Sequence, residues 1–317
     1  MKSREWVPGI LIILALIGFS RLSPSFFDIH FLLANSTLYA EIGLLALGMT
    51  FVIITGNIDL SVGANMILTG CLTAKLMEAG CPMVLAILAG CVMGTFFGFL
   101  NGWLVAKLEL PSFLVTLGTM AFYRGAAQAM LGPVSVKLPP EFKGVDTFTF
   151  VGLPWPLFIF VAASLICGLV LHRTVFGRWV FAVGTNEAAS RYSGIPVDRV
   201  KILAFALTGL FAGISALLLD SRLGIVRHDL SRGIELDAIT VAVLGGVSIL
   251  GGKGTILGTF LALFLIAVLK TGMGLGNVKA EYQLTIIGVL LIVAALSMNF
   301  AELMQRRFQS RSPAKPA

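Results

Sequence analysis

PMVLAILAGCVMGTFFGFLNGWLVA, residues 82–106, runs for 25 positions without one charged side chain. Coiled as a helix it would be roughly 38 Å long, enough to cross the about 30 Å of hydrocarbon in a bilayer with some tilt. The stretch also carries Gly90, Gly94, Gly98 and Gly102 at strict i, i+4 spacing. Four glycines on one helix face clear a groove into which another backbone can settle, the usual way helices pack where the solvent is itself apolar. Gly209 and Gly213 repeat the spacing in a later apolar run. These six glycines read as a packing device, not as chemistry.

Working outward, the same kind of run recurs along the 317 residues. Only 12% of the chain is charged and 57% is hydrophobic, where a soluble domain carries about 25% charged residues. With a mean hydropathy of +0.95, the chain is an all-α, polytopic membrane protein. An opening run at 7–19 follows a basic start, and Ser20-Arg21-Leu22-Ser23-Pro24 makes a poor signal-peptide cleavage site, so this run is expected to stay as a first span. Nine further spans are placed at 38–55, 60–79, 82–106, 111–132, 154–171, 202–219, 236–250, 254–270 and 282–299. Ten spans put both termini on one side. A modest majority of Lys and Arg then lies with Lys2, Arg4 and the basic tail at 300–317, which makes that side cytoplasmic. One transmembrane domain, 1–317, is expected, in a bacterial inner membrane.

Several function classes fall away. The net charge of +7 sits in loops between spans, without basic–aromatic alternation, and suits anionic headgroups better than nucleic acid. Cys71, Cys81, Cys91 and Cys167 are scattered without C-x-x-C, and His30, His172 and His228 stand far apart, so no metal or disulfide framework is expected. Gly245-Gly-Val-Ser-Ile-Leu-Gly-Gly-Lys-Gly254 fails the phosphate-loop spacing, with Val247 where Gly is required and Gly254 where Ser or Thr is required. Gly246-Val-Ser248-Ile-Leu250 fails the nucleophile-elbow pattern as well. No catalytic residue and no bound cofactor are expected.

The polar interval 172–201 stands out, with five basic residues against Glu187 and Asp198. A short helix lies inside it. Asn186 can cap it, Glu187 complements its dipole, Ala188 and Ala189 give it a small face beside Arg191, and Gly194 followed by Pro196 ends it. It reads either as a tidy connector or as a grip for another protein.

Two further places have double readings. The hairpin Thr55-Gly-Asn-Ile-Asp-Leu-Ser-Val-Gly63 has turn chemistry from Asn57 and Asp59, with Asp59 or Ser61 available to cap the next helix. It could alternatively line a pathway as a re-entrant element. In span five, Thr116, Thr119 and Tyr123 follow i, i+3, i+7, with Arg124 and Gln128 at i, i+4. An arginine there either faces a solute pathway or snorkels to the interface.

Four motifs, TGNIDLSVGA (55–64), LPSFLVTLGTM with Arg124-Gly125 (110–125), FGRWVFAVGTNEAASRYSGI (176–195) and ELDAITVAVLGGVSILGGKGT (235–255), resemble the membrane permeases of ribose-type ABC sugar importers. The resemblance runs from about residue 38 to the last span and implies a ten-span subunit of the vitamin B12 permease architecture. It also implies the partners: a second permease copy, identical or related, two cytosolic ABC ATPase domains, and a periplasmic or extracellular solute-binding protein. In that family a cytoplasmic coupling helix marked E-A-A…G docks into the ATPase. Here Glu187-Ala188-Ala189 precedes Gly194 with four residues intervening, the ribose-type spacing. Family hairpins often read Gly-Gly-Ile-Asp-Leu-Ser; Asn57 replaces the second glycine and is expected to keep its left-handed conformation. The family serves ribose, xylose, arabinose, rhamnose and autoinducer-2, and the rhamnose and autoinducer-2 branches look most similar.

The rival reading is an ion-coupled secondary sugar transporter, which would place acids or broken helices at midplane. Glu41, Asp220, Asp237 and Glu281 instead fall near expected span ends.

Overall fold

A computed structural model describes residues 6–20, 29–132, 135–144, 148–150, 152–230, 232–279, 281–283, 285–290 and 292–293. The first nine expected spans each correspond to a helix: α1 (Trp6–Ser20), α2 (Ile29–Ile54), α3 (Val62–Glu78), α4 (Met83–Lys107), α5 (Ser112–Leu131), α6 (Trp155–Arg173), α9 (Val197–Leu223), α10 (Ile234–Leu244) and α11 (Ile256–Leu275). Of the tenth, 282–299, only part lies within the described residues, with helical backbone at 285–290. The basic tail 300–317 and Met1–Glu5 lie outside them. Five helices among the described residues are long and apolar enough to cross a membrane by themselves, α4 and α9 among them.

α2 is the central post. From Ala40 to Ile54 its side chains are almost all sealed, surrounded by α9, α10, α6 and α11. α4 inverts the pattern of a soluble helix. Its glycines are buried while Val92, Phe96 and Phe99 point outward, as suits a helix whose outer solvent is lipid. The glycine face packs antiparallel on α9. A Cβ on Gly98 would sit 2.8 Å from Gly209 Cα, one on Gly94 2.8 Å from Gly213 Cα, and one on Gly102 2.8 Å from Ile202 Cα. Gly90 closes the row against Thr73 on α3. Backbones this close leave no room for any larger residue, which is the physical reason for the repeat.

Two expectations about elements need correction. The interval 172–201 is mostly helix: α6 runs on to Arg173, an additional helix α7 spans Val175–Thr185, α8 spans Glu187–Tyr192, and α9 begins at Val197. Thr174 starts α7 by accepting from Gly177 N–H at 3.2 Å. The eighth span stops at Leu244, six residues before its expected end at 250, because Gly246 turns left-handed at φ 88°. Residues 245–254 then form a loop in which Gly251 and Gly252 are also left-handed. The opposite end of the bundle carries short antiparallel strands: β1 (Val136–Lys137) pairs with β4 (Ile225–Val226), and β2 (Thr149–Phe150) with β3 (Leu153–Pro154).

Candidate functional site

Helix α8 is two turns held at the end of the bundle by charge. Asn186 adopts extended backbone and accepts from Ala189 N–H at 2.9 Å, the capping geometry its sequence position suggested. Gly194 takes φ 78° just past the helix end, where a β-carbon would be strained. Glu187 reaches the buried Lys201 of α9, Nζ to Oε2 at 2.7 Å. Arg191 bonds Asp198 at 3.0 Å, and Lys107 at the end of α4 bonds the other oxygen of Asp198 at 2.8 Å. The Asp198 carboxylate holds the Arg191 guanidinium above its ordinary range. α8 is thereby tied to both helices of the glycine-packed pair. Ala188, Ala189 and Gly194 face open space. Tyr192 is 94% exposed, a large aromatic that the sequence reading passed over. A tyrosine in a polar loop, one residue past the last arginine of a capped helix, was the available signal.

Immediately before α8, three backbones converge. Gly252 N–H donates to Ile54 C=O at 2.8 Å, joining the 245–254 loop to the end of α2. Gly184, in the last turn of α7, lies over that bond. A Cβ there would fall inside the radius of Ile54 O and 2.6 Å from Gly252 N. A Cβ on Gly251 would in turn stand 2.8 Å from Gly184 O and 3.0 Å from Gly56 Cα. The α2–α3 hairpin, the α7–α8 corner and the α10–α11 loop therefore abut backbone to backbone.

The hairpin feeds a buried polar network. Asn57 Nδ2 donates to Thr55 Oγ1 at 3.0 Å. Asp59 Oδ1 accepts from Ser61 N–H at 2.9 Å and Ser61 Oγ at 2.7 Å. Burial pushes the Asp59 carboxyl up to about 6, opposed by these Ser61 hydrogen bonds. Asn101 Nδ2 of α4 donates to Ser61 Oγ at 2.6 Å, and Tyr123 OH of α5 reaches Asn101 Oδ1 at 3.4 Å. Ile58 N–H and C=O are held by Ser112 Oγ and Thr116 Oγ1. Farther along α3, Asn65 donates to Gly94 C=O at 3.0 Å and accepts from Thr69 at 3.1 Å. Two details differ from expectation. The left-handed residue is Gly56, at φ 79°, and Asn57 is not among the positive-φ residues. Ser61 occupies the N-cap position of α3 without capping through its side chain, since that hydroxyl is engaged by Asp59 and Asn101.

The side chains singled out on α5 do not share a face. Thr119 and Arg124 are five residues apart, about 140° around a helix. Thr119 only donates back to Thr116 C=O, and Gln128 is exposed one turn beyond Arg124. Arg124 does not merely snorkel: its Nη2 bonds Glu235 Oε1 at 2.7 Å. It also stands eight residues, about 12 Å, beyond Thr116, the residue that touches the hairpin. Asn57 and Asp59 are therefore not gathered with Arg124. Two of the remaining acids are matched. Glu41 takes both Nε and Nη2 of Arg222 at 3.1 and 2.9 Å, and Asp237 takes Lys270 at 2.9 Å. Among the described residues no group of three or more His, Cys, Asp and Glu side chains could hold a metal ion.

Residues 31–295 match the family described as branched-chain amino acid transport system / permease component. A ribose import permease protein of Bacillus subtilis is 38% identical over 291 residues, covering 91% of this chain and 90% of that protein. An autoinducer 2 import system permease protein of Photorhabdus laumondii is 34% identical over 304 residues, 94% of this chain and 91% of its own. The Escherichia coli K12 protein of the same description is 34% identical over 302 residues, at 93% and 92% coverage. No solved structure matches this chain.

Proposed function

The chain belongs to the family of permease components of branched-chain amino acid transport systems; it is a multi-pass inner-membrane permease of the ribose type of ABC importer, and we propose that α8 is where ATP hydrolysis on its partner subunits is converted into movement of its helices. The observation that carries this reading is the construction of α8: a capped, two-turn helix with an open small-residue face, fastened by Glu187–Lys201 and Arg191–Asp198–Lys107 to α9 and α4. A push on α8 cannot dissipate in a loose loop. It enters the glycine-packed α4–α9 pair directly, and the hairpin and the 245–254 loop through Gly184.

In this reading the α8 end is cytoplasmic, along with both termini. Two ATPase domains dock on α8 of this chain and of a second permease copy, with Tyr192 as an aromatic anchor. A binding protein delivers solute at the opposite end, where β1 and β4 lie. Nucleotide that binds one state of the assembly more tightly than the other shifts the helices between openings. The pathway runs along the open face of α5, past Arg124 and Gln128. The solute is a monosaccharide or furanosyl compound: ribose or autoinducer-2 foremost, in keeping with the relatives' names, and rhamnose next. The permease chain itself binds no cofactor.

The test is uptake into proteoliposomes holding the permease with its ATPase, with binding protein and labelled ribose or autoinducer-2 outside. Enclosed ATP should drive accumulation that a protonophore leaves intact. Accumulation driven by an imposed ion gradient without ATP would refute it.

A further inference from the structure

Glu235 opens α10 just after the left-handed Gly233, and its side chain is only 9% exposed. One carboxylate oxygen, Oε1, accepts from Arg124. The other, Oε2, is enclosed and has no hydrogen-bond partner among the described residues. A buried acceptor left unpaired costs about 1–3 kcal/mol, so this conformation holds an acceptor that another conformation can satisfy. Arg124 is the complement. Its side chain is 33% exposed, and the Nη2 bond uses one of its five N–H donors. The residue sits at the margin of α5, between the face packed on α3 and α4 and the open face carrying Ala121, Gly125 and Gln128.

The pair also joins helices that pack mainly on different neighbours, α5 on α3 and α4, α10 on α2 and α11. A cross-brace between such helices closes a gap when made and opens it when broken.

We propose that Arg124 and Glu235 form a solute-operated gate and binding station at the end of the pathway opposite α8. A polyhydroxylated solute meets the free guanidinium N–H groups, which donate to its oxygens. As α10 parts from α5, one of its hydroxyls donates to Glu235 Oε2, the acceptor that the closed pair leaves empty. The solute binds the open state better than the closed one, and that difference opens the gate. The proposal rests on the transport reading above and adds to it the residues that recognise hydroxyl groups.

The experiment compares ATP-driven uptake of labelled ribose and, separately, of labelled autoinducer-2 by the intact importer in proteoliposomes, together with the Tm of each purified complex. Glu235→Gln keeps the size of the side chain and an oxygen for Arg124 but turns the empty acceptor into a donor. Uptake should fall about 10- to 100-fold, the size of losing one hydrogen bond to a charged group, with Tm unchanged. The exchange Arg124→Glu with Glu235→Arg rebuilds a brace with its chemistry reversed, and it should keep the wild-type Tm without recovering uptake. Wild-type uptake by either variant would overturn the gate while leaving the transport reading standing. A wild-type importer that moves neither solute would instead refute the transport reading and the gate with it.

Discussion

Gly184→Ala is the sharpest perturbation of the proposed route out of α8. In an unobstructed helix interior this change is neutral or stabilising by up to about 1 kcal/mol, because it removes unfolded-state freedom. At Gly184 the new methyl meets Ile54 O and Gly252 N, two backbone atoms already joined by a 2.8 Å hydrogen bond. Neither can rotate away as a side-chain tip would. The α7–α8 corner must lift from the hairpin, at an overpacking cost of about 1–3 kcal/mol, so the sign of the glycine-to-alanine effect is reversed. Gly168→Ala on α6 is the control, since nothing lies within 4 Å of its Cβ position. Thermal unfolding of the purified complex should show a lower Tm for Gly184→Ala and an equal or higher Tm for Gly168→Ala. The first variant should also couple ATP hydrolysis to uptake poorly at temperatures well below its Tm. Equal Tm and equal coupling for both variants would refute the argument that the three backbones bear on one another.

Gly98→Leu should remove the complex from the membrane fraction altogether, since its Cβ would stand 2.8 Å from Gly209 Cα; quantitative immunoblotting of membranes checks this. Tyr192→Ala should leave the permease's Tm unchanged and weaken ATPase binding about tenfold or more, as truncating an interface anchor does; binding titrations with purified ATPase would read it. Asp59→Asn should raise stability at neutral pH. With the folded carboxyl pushed up to about 6 from 3.8, folding takes up a proton between those values, so stability is greatest below about 4 and is lost as pH rises through 6. The loss is roughly 3 kcal/mol by pH 7. Tm measured from pH 4 to 8 should therefore fall in the wild type more steeply than in the variant.

How much of this could be read from the sequence follows from how local each signal is. The glycines of α4 announce a helix contact because their spacing alone clears a face, but that the partner is the run carrying Gly209 and Gly213 is seen only in the packing. Asn186 and Gly194 are legible for the same reason, as cap chemistry is settled within four residues. The hairpin register was not. Whether Gly56 or Asn57 turns left-handed depends on where α2 lets go, and its last carbonyl, that of Ile54, is held by Gly252, nearly 200 positions away. α7 was hidden inside an interval judged by its charge, although Thr174 before a run of apolar residues was a usable start signal. Asn65 and Asn101 lay inside apolar runs and were passed over, yet polar side chains in uncharged spans are costly unless paired, and both anchor the buried network. Glu235 was invisible as a partner of Arg124 because 111 positions separate them and only the packing of α10 brings them together.

The central claim is that another protein grips α8, and a cysteine at Ala188 tests it most directly. The four native cysteines are first replaced, and a bulky maleimide is then attached to Ala188→Cys, which faces open space. The account predicts that labelling before assembly abolishes ATP-driven uptake, and that bound ATPase shields the cysteine from label added afterwards. Full uptake by the quantitatively labelled importer, with the cysteine equally reactive in the assembled complex, would contradict it.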